Sequence, residues 1–160
     1  MFAGKKILIT GGTGSLGTAL TKRLLDLDVD TIRIFSRNES KQITMESEMG
    51  KDRIRYLIGD VRDYHRLQKA LEGIDIVFHA AALKHVNLQE DNIRECLLTN
   101  FFGTQNILSI ANKYSVDNFV LISTDKAVEP SNNMGLSKRM AELLVSYYSN
   151  SSKTKMSIVR

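Results

Sequence analysis

Residues 10–17 read TGGTGSLG and stand between an apolar run, Lys6–Thr10, and a helical pattern that continues to about Leu25. No other feature of the chain restricts its fold so strongly. A buried strand that passes through a glycine-rich turn directly into a helix is the opening of a strand–helix–strand crossover unit. Gly11, Gly14 and Gly17 allow a tight turn, close approach of a pyrophosphate, and close packing of the helix on the strand. The helix N-terminus adds amide donors and the positive end of its dipole. Thr13, Ser15 and Leu16 fill the same turn, so all six residues are candidate cofactor contacts. A purely structural glycine turn is the alternative, and the position between strand and helix favours the phosphate-binding reading.

The rest of the chain repeats the alternation. Strands are expected at Thr31–Phe35, Ile54–Ile58, Ile74–Phe78, Phe119–Ser123 and Met156–Val159. Helices are expected at Glu39–Met49, at Asp63–Leu71 with Asp63 as its N-cap, across a long amphipathic stretch Arg94–Tyr114, and at Leu136–Tyr148. Strands and helices in that order predict an α/β fold, a doubly wound parallel sheet of the Rossmann type, with residues 1–160 forming one dinucleotide-binding domain. The 160 residues are 42% hydrophobic and 25% charged, which excludes a disordered chain. No apolar run is long enough to span a bilayer, and the first strand begins too early to leave room for a secretory signal. A single cysteine, Cys96, excludes an internal disulfide framework and fits the cytoplasm. The net charge of +4 is mild and interspersed, so it argues against nucleic acid and suits a small anionic ligand. His65, His79 and His85 have no metal-ligand spacing with Cys96, and no metal is expected.

The ends of the strands carry the remaining chemistry. Ser36 and Arg37 end the second strand, with Asn38 next and Lys41 one helical turn on. An NAD-preferring site usually has a carboxylate there; a hydroxyl and a guanidinium suit the 2′-phosphate of NADP, with solvated surface cations as the alternative. Asp60 and Val61 follow the third strand, where the carboxylate is a candidate acceptor from an adenine amino group or an ordinary helix cap. Ala80, Ala81 and Ala82 follow the fourth strand and are small enough for a dinucleotide backbone to lie against them, with Lys84 beside them. Thr124, Asp125 and Lys126 follow the fifth strand, where ligands of open parallel sheets bind. Met134 and Lys138 are four apart at a helix start and share one face. Asn100, in mid-helix, requires a polar partner for its amide.

Together TGGTGSLG at 10–17, FSRNESKQ at 35–42, IGDVRD at 58–63, FHAAALKHV at 78–86, TNFFGTQN at 99–106 and STDKAVEPSNNMGLSKRMAE at 123–142 resemble the extended short-chain dehydrogenase/reductase superfamily. Within it the chain is similar to the UDP-N-acetylglucosamine 4,6-dehydratases of polysaccharide biosynthesis, the CapD/CapE-like group. The resemblance covers essentially the whole chain, and complete members carry a further C-terminal portion, so a truncated chain is expected. It departs from the superfamily at Met134, which stands where Tyr-x-x-x-Lys has its tyrosine; a thioether cannot exchange the proton a phenol would. Asn87 stands where a proline is usual.

The resemblance implies a redox-neutral reaction: oxidation at C4 of the hexose, loss of the C6 hydroxyl as water after removal of the C5 hydrogen, and return of the hydride to C6. It implies NADP as catalytic cofactor, with NAD the lesser choice, and a UDP-N-acetylhexosamine as substrate. Asp125 is the implied acid and Lys126 the implied C5 base, neutral if buried. Lys138 would hold the nicotinamide ribose, and Asp125, Thr124 and Lys138 are candidates to accept the C4 hydroxyl proton. The rival readings are a UDP-sugar 4-epimerase and a catalytically silent cofactor-binding module. Apolar residues beyond the core stripe, including Phe101, Phe102, Leu143 and Tyr147, predict a homo-oligomer.

Overall fold

The structure is a computed structural model that describes residues 2–160. Six parallel strands form one sheet in the order β3-β2-β1-β4-β5-β6: β1 Lys6–Thr10, β2 Thr31–Ser36, β3 Ile54–Ile58, β4 Ile76–His79, β5 Asn118–Ile122 and β6 Lys155–Val159. The chain steps outward from β1 to β3, then crosses back to lay β4 on the other side of β1. Connections therefore leave β1 and β4 in opposite directions, and a crevice opens above their carboxyl ends. The register Thr10↔Phe35 and Thr10↔His79 brings those ends level.

Alternation along the strands builds two cores. Ile7, Ile9, Ile32, Ile34, Ile54 and Ile76 face α1 (Ser15–Leu25) and α2 (Glu39–Met49), meeting Leu24 and Met45. Leu8, Phe35, Val77, Phe119 and Leu121 face the other side, against Leu67 and Leu71 of α3 (Tyr64–Leu71), Ile107 and Ala111 of α6 (Gly103–Lys113), and Ala141 and Val145 of α7 (Asn133–Ser149). A strand apolar on both faces is a strand covered on both faces, and the sandwich follows. Among the described residues no helix is long and apolar enough to cross a membrane.

Several strand ends move by one residue, and three expected elements change by more. The fourth strand begins at Ile76, because the amide of Ile74 closes the turn after α3 by donating to the Leu71 carbonyl at 3.1 Å. The last helix begins at Asn133, three residues early, because the Asn132 side chain caps it by accepting from the amide of Gly135 at 2.8 Å. The long helix expected over Arg94–Tyr114 is not uniform. It comprises α5 (Ile93–Leu97), a π-helical turn over Leu98–Phe102 and then α6, and a short α4 (Val86–Asp91) precedes it. Asp63 caps α3 as expected, accepting from the amide of Arg66.

Candidate functional site

A cleft of about 620 Å³ runs along the carboxyl ends of β1 to β5. At one end is the glycine turn. Gly11 has φ +68° and packs so closely on the residues after β4 that a Cβ there would lie 2.8 Å from the Ala80 carbonyl carbon. A Cβ at Gly17 would lie 2.5 Å from the Cα of Gly12, so α1 rests directly on the turn. No side chain caps α1, and its first turn carries no acidic residue. The amides and the dipole end of α1 are thereby left for an anion.

Beyond the turn the cleft passes Ser36, Arg37, Asn38 and Lys41, then Asp60 and Val61, then Ala80, Ala81, Ala82 and Lys84. Its inner end holds Thr124, Lys126, Met134 and Lys138. The charged residues of the lining are five cations (Arg37, Lys41, Lys84, Lys126 and Lys138) against the one carboxylate of Asp60. That balance, the small-residue floor and the uncapped helix fit a long, narrow, polyanionic ligand such as a nicotinamide dinucleotide.

Asp60 does not cap a helix. Its carboxylate accepts from the Arg62 amide at 2.9 Å and from the Arg62 guanidinium at 2.7 Å, and Arg37 Nη1 lies 3.7 Å away. Burial works against its charge, yet the Arg62 hydrogen bonds and the Arg62 and Arg37 charges hold the carboxyl below the usual range. The Arg37 side chain, half exposed at the cleft rim, is aligned by that weak pairing.

At the inner end Lys138 is buried and donates from Nζ to the Ile122 carbonyl at 2.5 Å. Burial lowers its pKa to about 8, partly opposed by the Glu142 carboxylate. Met134 is 5% exposed and forms part of the same wall. Lys126 is half exposed, with Nζ 3.5 Å from Asp125, so the burial expected for a neutral amine is not supplied by the described residues.

Two of the candidate residues lie outside the lining. Asp125 points to solvent with its side chain 86% exposed, and its carboxyl is held low by the Thr124 hydroxyl at 2.9 Å and the Lys126 amide. Asn100 is buried behind the wall. Its amide accepts from the Leu83 N–H at 2.8 Å and donates to the Leu83 carbonyl at 2.9 Å and to Ser137 Oγ at 2.9 Å. Asn100 therefore ties the loop after β4 to the Met134–Lys138 turn, which answers its mid-helix placement without a ligand. The lining also contains Phe35, Gly59, Leu83, Thr99, Ile122 and Ser123. Most flank expected strand ends; Thr99 is presented by the π turn, which apolar periodicity does not signal. Ser123 donates to Glu142 at 2.6 Å, and Glu142, held also by Arg160 and Arg139, has its pKa lowered to about 2.

Residues 7–160 match the model of the family described as polysaccharide biosynthesis protein. An uncharacterized membrane protein of Methanocaldococcus jannaschii is 48% identical over 159 residues, covering 98% of this chain and 48% of that protein. A protein of Rickettsia canadensis named UDP-glucose 4-epimerase is 47% identical over 148 residues, covering 90% of this chain and 43% of that one. The X-ray structure of Pen from Bacillus thuringiensis matches with a TM-score of 0.96 at 42% identity, over 100% of this chain and 50% of that chain. DesIV, a dTDP-glucose 4,6-dehydratase from Streptomyces venezuelae with NAD and TYD bound, matches with a TM-score of 0.87 at 25% identity, over 96% of this chain and 54% of that chain. The chain thus spans about half the length of the relatives it matches.

Proposed function

The chain belongs to the polysaccharide biosynthesis protein family, and on that premise we propose that it is the dinucleotide-binding part of a nucleotide-sugar 4,6-dehydratase. The proposed substrate is UDP-N-acetylglucosamine or a closely related UDP-N-acetylhexosamine, and the proposed cofactor is NADP, in a cytoplasmic enzyme. The observation that carries the reading is the single cleft that has an uncapped helix N-terminus at one end and Thr124, Lys126 and Lys138 at the other. The nicotinamide, when bound, supplies reversible hydride transfer, so that no external oxidant is consumed. Gly11, Gly14 and the first turn of α1 would bind the diphosphate, Arg37 with Ser36 the 2′-phosphate, and Lys138 the ribose at the inner end.

Lys126 would remove the C5 proton once a 4-keto group has acidified it, and Asp125 would protonate the departing C6 hydroxyl. Lys126 is half exposed and Asp125 more so, so these roles need the sugar to cover them. Met134 offers no exchangeable proton, and Lys138, Thr124 or Asp125 would accept the proton of the C4 hydroxyl.

A second reading, a UDP-sugar 4-epimerase, is favoured by the names of the Rickettsia relatives, of which the canadensis protein is 47% identical. It leaves the adjacent acid and amine at 125 and 126 without a task. Product analysis of the full-length protein with UDP-N-acetylglucosamine separates the two readings. A 4-keto-6-deoxy sugar with release of water supports the dehydratase; a C4 epimer supports the epimerase; neither product, with cofactor still bound, supports a silent module.

A further inference from the structure

Glu142 is the only carboxylate of α7 and is 2% exposed, one helical turn after Lys138. Positions four apart share a helix face, and Lys138 lines the cleft while Glu142 does not. Both oxygens of the carboxylate are engaged. Oε1 accepts from Ser123 Oγ at 2.6 Å and from Arg160 Nε at 3.0 Å. Oε2 accepts from Arg160 Nη2 at 2.8 Å and from Arg139 Nη1 at 3.1 Å. One buried group thereby joins the residue after β5, the residue after β6 and α7 itself.

The same helix holds the end of β5 and the turn after it at two further points. Lys138 Nζ donates to the Ile122 carbonyl, and a Cβ at Gly135 would collide with the Lys126 carbonyl oxygen. A buried ion pair seldom stabilises more than apolar packing of the same volume. What a carboxylate supplies here, and an apolar side chain cannot, is a fixed charge. Lys138 has no other counter-ion among the described residues. His79, at the end of β4, is neutral. Lys126 is paired with Asp125, which faces solvent, and Arg139 and Arg160 face Glu142. Cys96 of α5 points to Ser137, and Glu90 of α4 accepts from Asn133. Burial alone would drive the Lys138 amine toward its neutral form, and Glu142 opposes that.

We propose that Glu142 is a positioning residue for Lys138: held by Ser123, Arg139 and Arg160, its carboxylate keeps the amine a cation at the inner end of the cleft, set against the Ile122 carbonyl. A charged amine cannot take the C4 hydroxyl proton, which leaves Thr124 and Asp125 for that step. The place of Lys138 at a ribose rests on the dinucleotide reading of the cleft; the coupling of Glu142 to Lys138 does not.

The test follows Lys138 directly, by NMR titration of full-length protein isotope-labelled at lysine Cε, with Lys138→Arg identifying the resonance. Glu142→Gln should lower the Lys138 pKa by roughly one unit, a tenfold shift in its protonation equilibrium. Mere loosening of the wall would expose the amine and move it the other way, toward 10.5. Arg160→Met removes a competing cation from the same carboxylate and should raise the value; that side chain is 43% exposed, so its loss leaves no buried cavity. Glu142→Asp keeps the charge and should lie closer to wild type than Glu142→Gln. In the pH profile of turnover, the alkaline limb should move down in Glu142→Gln and up in Arg160→Met. A Lys138 value in Glu142→Gln that is unchanged or raised overturns the inference. If that variant does not fold, a value in Arg160→Met that stays or falls does so. Wild-type protein without turnover of UDP-N-acetylglucosamine tells against the dehydratase reading, and the NMR values still decide the role of Glu142.

Discussion

Thr10 Oγ1 lies 2.7 Å from His79 Nδ1, joining the carboxyl ends of the two central strands beneath the floor of the cleft. The neighbours assign the protons. The Thr104 hydroxyl donates to the Asn100 carbonyl at 2.6 Å, so its oxygen accepts from His79 Nε2–H at 3.0 Å. Nδ1 is then the acceptor, and Thr10 donates to it while accepting from the Ala81 amide at 3.3 Å. A neutral imidazole satisfies every group in the chain of bonds, and an imidazolium would leave two protons facing each other. Burial, and then the nearby Lys138 charge, lower the His79 pKa to about 3.

The consequence is acid lability with a defined window. The unfolded chain binds a proton at His79 near pH 6.5 and the folded chain refuses it until about 3, so stability falls as pH drops through that interval. Glu142, whose folded value is near 2, contributes only below its ordinary 4.5. Urea unfolding midpoints should therefore decline between about pH 6.5 and 5 in wild type, with a flatter profile in His79→Gln. A wild-type profile that is level over that range would show that His79 is not the buried neutral group described.

The proposed preference for NADP rests on Arg37. Charge-assisted hydrogen bonds are worth about 1.5–3 kcal/mol, so Arg37→Ala should cost NADPH roughly ten- to hundredfold in Kd and leave NADH nearly unchanged. Wild type should prefer NADPH. Titration of both dinucleotides against both proteins checks this, and equal wild-type affinities would remove the 2′-phosphate assignment.

The proposed elimination rests on Lys126. In the full-length enzyme Lys126→Ala should retain cofactor binding and oxidation at C4. It should lose exchange of the C5 hydrogen with solvent deuterium by about two to four orders of magnitude, together with loss of water. Mass spectrometry of recovered substrate in deuterated buffer reads the exchange directly. Exchange at close to the wild-type rate would place the base elsewhere.

The proposed assembly rests on exposed apolar residues of two helical segments. Phe102 is 47% exposed, Leu143 55% and Tyr147 71%, on α6's approach and on α7. We propose that these residues are covered by a second copy across a two-fold axis. Light scattering of the full-length protein at micromolar concentration should show a dimer or larger, and Leu143→Glu with Tyr147→Glu should shift it toward monomer. A wild-type monomer would defeat the proposal.

The glycines at 11, 14 and 17, the alternation of apolar runs and the capping residue Asp63 made the sheet, its helices and nearly the whole glycine-turn end of the cleft legible from the amino-acid sequence, because those signals are local: turn geometry, apolar periodicity and a side chain reaching three residues ahead. The decisions left to tertiary structure are those in which two distant segments meet. Asn100 reads as a possible cofactor contact until Leu83 and Ser137 arrive from other elements and consume its amide. Asp125 reads as lining until the turn after β5 directs it outward. Thr99 is silent in the sequence, since an extra residue in one helical turn leaves the apolar periodicity on either side intact and changes only which residue lines the cleft. Periodicity records which face of an element is buried, and it carries no information on what the buried polar groups of that face will find opposite them.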